Sequence, residues 1–227
     1  MKNTTRLLAL AALFFAPLTF AFALQGDDAQ VVDEAKLIAQ QIPSYPTMTC
    51  VVSDEEMGGE MGEPIDLLHE GRLVRLCCKS CKKELEKDPE PFMARIDAAI
   101  VADQGPGYPL ETCAVSGQKL GSMGDPINEI VGTRLVKLCC KGCVKKLHAN
   151  PAGFITKINA ALIEKQRKTY PLDTCVVGGK PLGSMGEPID FLYGHRLVRL
   201  CCGGCRKKVA ANPREILAKI DAAAAAK

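Results

Sequence analysis

Polar and apolar side chains alternate through RLVRLC at 72–77, RLVKLC at 134–139 and RLVRLC at 196–201. That alternation predicts a β-strand with one face buried. Each run follows a second short strand-like segment, IDLLH in the first instance, and a tight turn (EG, GT or GH) lies between them. The pair predicts a hairpin. A short basic helix is expected next, and then Asp88-Pro89, Asn150-Pro151 and Asn212-Pro213. Asp or Asn as N-cap with proline at the first helical position marks a helix start. The helices behind these signals are amphipathic, through Phe92, Ile96 and Ile100, then Phe154, Ile158 and Leu162, then Ile216, Ile220 and Ala224. Residues 27–41 predict a lead-in helix, and DQGPG at 103–107 a linker. The fold class expected is α+β.

The pattern is one unit written three times. Tyr45-Pro46, Tyr108-Pro109 and Tyr170-Pro171 open the copies at intervals of 63 and 62 residues. Each continues to a lone cysteine (Cys50, Cys113, Cys175), then MGEPID, MGDPIN or MGEPID, then C-C-x-x-C. The first copy has one extra residue between its lone cysteine and Met61. The boundaries expected are a signal peptide at 1–23, a lead-in helix at 24–43, and repeats at 44–106, 107–168 and 169–227. Each repeat is a β-hairpin plus a knuckle-like turn followed by two short helices.

The N-terminus places the chain in a compartment. MKNTTR is basic, LLALAALFFAPLTF is an apolar run of 14 residues, and AFA at 21–23 supplies a small-residue cleavage triplet. That order predicts a secretory signal peptide. The short run and Pro17 argue against a membrane-spanning helix, and a first cysteine at position 50 argues against a lipid anchor. The mature chain is expected to be periplasmic or secreted, with no stable membrane anchor. Loss of Lys2 and Arg6 lowers the formal charge from +3 to +1. With few aromatic residues besides, this excludes a nucleic-acid footprint.

All twelve cysteines lie beyond the leader. An even count in an exported chain permits disulfides, and metal binding equally well. Units of about 62 residues bury little apolar surface, and domains this small commonly need a disulfide or a metal. A Cys77–Cys78 disulfide would strain the peptide between neighbours, and strand alternation would point the two sulfurs to opposite faces. Cys81 is expected in the first turn of the following helix, where the helix dipole and Lys79, Lys82 and Lys83 favour a thiolate. Cys50 comes from TCVVSD, which becomes TCAVSG and TCVVGG in the later copies. Cysteines at a hairpin-to-helix junction plus one from a separate turn are how small zinc modules assemble a thiolate site. Redox chemistry through C-x-x-C lacks its βαβ context. Attachment of c-type haem would need His where Lys82, Val144 and Arg206 stand.

The pattern C–V-x-G … G-R-x-V-x-x-C-C-x-x-C … K … (D/N)-P … F resembles the TRASH and YHS group of small metal-binding domains, in which a lone cysteine is followed at a distance by C-x-x-x-C. Cys50 with Cys77 and Cys81, Cys113 with Cys139 and Cys143, and Cys175 with Cys201 and Cys205 fit it. The gap to the second cysteine is a few residues longer than usual. Cys78, Cys140 and Cys202 occupy a position often held by serine in the YHS type. The resemblance implies binding of a heavy or transition metal, often copper or zinc, in trafficking, sensing or resistance.

Recurrence separates the other possible donors. Met61, Met123 and Met185 are equivalent; a thioether suits Cu(I), but a core-plugging role is the plainer expectation. Met57 is expected in packing. His69, His148 and His195 are not equivalent, so they are expected at the surface rather than as ligands. No paired acids, nucleophile–base pair or phosphate-binding loop recurs, which argues against an enzyme. The reading is a protein that binds or buffers copper or zinc, about one ion per repeat, through all twelve cysteines. The competing reading is a disulfide-stapled or structural-zinc repeat that binds another exported protein.

Overall fold

The computed structural model describes residues 26–58 and 62–226; the expected signal peptide and Met61 lie outside them. The fold is α+β, with seven α-helices and three two-stranded antiparallel hairpins among the described residues. Helix α1 spans Gly26–Gln41 and runs into a 3-10 turn, Ile42–Ser44. The first repeat comprises β1 (Ile65–His69), β2 (Arg72–Leu76), α2 (Lys79–Lys87) and α3 (Glu90–Gln104). The second comprises β3 (Ile127–Val131), β4 (Arg134–Leu138), α4 (Gly142–Ala149) and α5 (Pro151–Arg167). The third comprises β5 (Ile189–Tyr193), β6 (Arg196–Leu200), α6 (Cys205–Ala211) and α7 (Pro213–Ala225).

The register is the same in all three hairpins, with Ile65 opposite Leu76, Ile127 opposite Leu138 and Ile189 opposite Leu200. The strands stop one residue short of the first cysteine of each pair, so the neighbouring cysteines sit in the bend after the strand. Val74 and Leu76 and their equivalents are buried in their own unit's core with the following long helix, whereas Leu135 joins the core of the preceding unit. From those helices come Ile96, Ile100, Ile158, Leu162, Ile216 and Ile220, as the periodicity predicts. Met57 is buried as expected. Ala224 is exposed instead, because the apolar face of α7 ends at Ile220. Of the three predicted N-caps, Asn150 makes the side-chain hydrogen bond, accepting from Gly153 N–H at 3.2 Å.

Successive units are joined by a glutamine at the end of the preceding helix. Gln41 donates to Gly71 C=O and accepts from Leu73 N–H, both at 2.9 Å. Gln104 does the same to Thr133 and Leu135, and Gln166 to His195 and Leu197. A helix whose apolar face fills one unit thus clamps the hairpin turn of the next with its last turn. Tyr45, Tyr108 and Tyr170 accept from the N–H of Arg75, Lys137 and Arg199.

The three hairpin turns converge on residues 41–44. Gln41 holds the first turn, and Thr133 Oγ1 of the second reaches Gln41 C=O at 3.0 Å and Ser44 Oγ at 3.1 Å. Gly194 of the third packs on the Pro43 carbonyl so closely that a Cβ there would collide with it, and its φ of +64° also favours glycine. Arg72 and Arg134 donate onward to Gly132 C=O and Gly194 C=O. His195 is not the surface residue expected: it is largely sheltered between units, 3.6 Å from Asp103. His148 is exposed and meets Glu129 at 2.8 Å.

Candidate metal centre

Each lone cysteine begins a tight knuckle. Asp54 N–H returns to Cys50 C=O at 2.9 Å, Gly117 N–H to Cys113 C=O at 2.9 Å and Gly179 N–H to Cys175 C=O at 2.8 Å. The closing residue is left-handed in each copy, with Asp54 doing in the first what glycine does in the others. The knuckle aims the lone sulfur at the bend after the hairpin. There the second cysteine leaves the strand and the last enters the helix.

The result is three triads: Cys50, Cys77 and Cys81; Cys113, Cys139 and Cys143; Cys175, Cys201 and Cys205. Within each, the three sulfurs lie within 4.8 Å of one another. Measured pairs are 3.7 Å for Cys77–Cys81, 3.8 Å for Cys139–Cys143 and 3.9 Å for Cys175–Cys205. A disulfide needs about 2.05 Å, and none of the twelve cysteines is joined in one. Sulfurs bound at about 2.3 Å to one tetrahedral ion stand about 3.8 Å apart, which these spacings match. The triads can hold a metal ion.

Cys78, Cys140 and Cys202 flank the triads, with Sγ at 3.5, 3.9 and 3.9 Å from the last cysteine of their own units, and they are half-exposed. The expected thioethers are placed differently. Met123 and Met185 are exposed, at 64% and 54%, so they do not plug the core. Both lie between glycines of positive φ, Gly121 and Gly124 in one copy and Gly183 and Gly186 in the other, and Lys180 Nζ reaches Met185 Sδ at 3.8 Å.

The electrostatics prepare the lone cysteine of each triad as a thiolate. Burial opposes ionisation of Cys50, but N–H groups of Cys77, Ser53 and Val52 outweigh it and bring the thiol down to about 7. Burial is likewise overcome at Cys113, where the Ser116 hydroxyl and N–H groups of the knuckle bring it to about 6. The N–H groups of Cys201, Gly178 and Val177 bring Cys175 to about 7 against the same opposition. Burial and neighbouring sulfurs push Cys81, Cys143 and Cys205 up to about 12. Within each triad, then, the lone cysteine is prepared to carry negative charge and the last cysteine resists it, while hydrogen bonds from the last cysteine and nearby backbone also lower Cys78, Cys140 and Cys202. A cation removes that resistance.

Sequence reasoning missed the residue three positions after each lone cysteine. Ser53 Oγ lies 3.3 Å from Cys77 Sγ, and Ser116 Oγ lies 3.2 Å from Cys139 Sγ. The third copy has Gly178 there, whose N–H donates to Cys175 Sγ at 3.3 Å. The substitution is visible in TCVVSD, TCAVSG and TCVVGG.

No family model, curated protein or solved structure matches this chain. The clustered triads are compatible with metal-binding repeats, and the resemblance to TRASH and YHS domains rests on the residues quoted for it.

Proposed function

We propose that the protein is an exported, non-enzymatic binder and buffer of a soft transition metal, copper or zinc, held by cysteine thiolates at one ion per repeat. The observation that carries this reading is the convergence of three sulfurs in every copy at spacings suited to a common ion. Thiolate donors favour Cu(I) and Zn(II) over hard cations. The N-terminal leader supports a periplasmic or secreted location, where the partners would be the metal ions and an exported protein that delivers or receives them. Titration of the reduced chain with Cu(I) and with Zn(II) under chelator competition tests it. About three ions per chain are expected from three equivalent triads; saturation at one would overturn it.

Burial of the triads within each core favours a second reading, in which zinc is structural and the folded repeats bind another exported protein. Chelation separates the two. Unfolding on metal removal favours the structural role, and reversible loss of metal from a folded chain favours buffering.

A further inference from the structure

The three sites are built alike, but the third lacks several parts that close the first two. An ideal Cβ on Gly178 would lie 3.6, 3.7 and 3.8 Å from the sulfurs of Cys201, Cys205 and Cys175. A point almost equidistant from three sulfurs sits over the face of their triangle, where an incoming ligand would approach. Ser53 and Ser116 put side chains in the equivalent position, and all three residues are on the solvent side.

Three further differences agree. In the first unit α3 ties down the knuckle, through Arg95 to Val51 C=O; in the second α5 does so through Lys157 to Ala114 C=O. The equivalent Lys219 turns to Glu215 on its own helix. Helices α2 and α4 begin before their cysteine, whereas α6 begins at Cys205 itself, after Gly203 and Gly204. Cys205 is accordingly half-exposed, while Cys81 and Cys143 are buried at 6% and 5%.

We infer that the third triad is the exchange site of the chain, open to a small-molecule thiolate that enters as an incoming ligand over Gly178, while the first two triads store their ions. Soft ions pass between thiolates by association before dissociation. The incoming thiol gives its proton to solvent, and its sulfur bonds the ion. Cys205 then leaves as thiolate and takes up a proton. The ion keeps its oxidation state throughout.

This rests on the metal-binding reading above, and the test separates the two. Full-length reduced protein is loaded with Zn(II), freed of excess metal, and challenged with a small dithiol while a chromogenic indicator follows released zinc. One of three equivalents should leave at least about tenfold faster than the other two, at a rate rising with dithiol concentration. Gly178→Ser should abolish that fast phase. It is the residue the other copies use, and Gly178 is not among the positive-φ glycines. Ser116→Gly should convert a second equivalent to fast release. Three equivalents leaving at one rate, or a fast phase unmoved by Gly178→Ser, would overturn the inference alone. Failure to load three ions would overturn the metal reading and this inference with it. In the metal-free chain, brief alkylation should label Cys205 ahead of Cys81 and Cys143; equal labelling would also overturn the inference.

Discussion

Gln104 Oε1 accepts a hydrogen bond from Leu135 N–H at 3.0 Å, and its amide donates to Thr133 C=O at 2.8 Å. Both ends are buried, with Gln104 only 6% exposed. Gln104→Met keeps the bulk but leaves two backbone groups unpaired, each costing about 1–3 kcal/mol. Denaturant unfolding of the mutant should show that loss with little change in slope. Gln166→Met, at the half-exposed clamp, should lose less; the reverse order would contradict the clamp as a buried linkage.

Cys113→Ser should reduce the ions bound from three to two and loosen the middle repeat far more than its neighbours. Amide exchange resolved by segment checks this. Unchanged protection across 108–160 would mean that packing alone holds the repeat.

Cys78 lies beside its triad without being buried in it, 3.5 Å from Cys81 Sγ. Zinc favours four donors, whereas Cu(I) is satisfied by two or three sulfurs. Cys78→Ser should therefore weaken Zn(II) at the first site and leave Cu(I) largely unaffected. Equal loss for both ions would make Cys78 a ligand in either case. Intact protein should also show free or metal-protected thiols by mass spectrometry. Twelve cysteines oxidised in pairs would end the metal-binding reading.

Binding should release protons in a pH-dependent number. The thiols of Cys50, Cys113 and Cys175 are lowered to about 7, 6 and 7. Their thiolates are present above those values and lost as pH falls through them. Loading at pH 8 should release about two protons per triad, rising towards about three near pH 5. Calorimetry in buffers of differing ionisation enthalpy measures this. A count independent of pH would rule out the preformed thiolate.

The repeat, the hairpins and the triads were legible in the sequence because each is written in a strong local period or in cysteine spacing. What joins the copies was not. Gln41, Gln104 and Gln166 recur at the repeat interval, yet a lone glutamine on an amphipathic helix reads as part of its solvated face. Only the next hairpin turn, packed on it, reveals two buried hydrogen bonds. His195 was misread for the same reason, since its shelter comes from other copies. Met123 and Met185 read as packing residues by type, but both side chains are exposed. Ser53, Ser116 and Gly178 matter through what stands above three sulfurs from distant segments, which spacing along the chain does not encode.

The meeting of three hairpin turns at residues 41–44 bears on how the chain could have grown. An open string of modules can gain another by duplication, each new copy docking on the last. Here the third turn returns to the first segment, and Gly194 fits against Pro43 with no room for even a methyl group. A further hairpin turn would find that face of Pro43 already covered by Gly194.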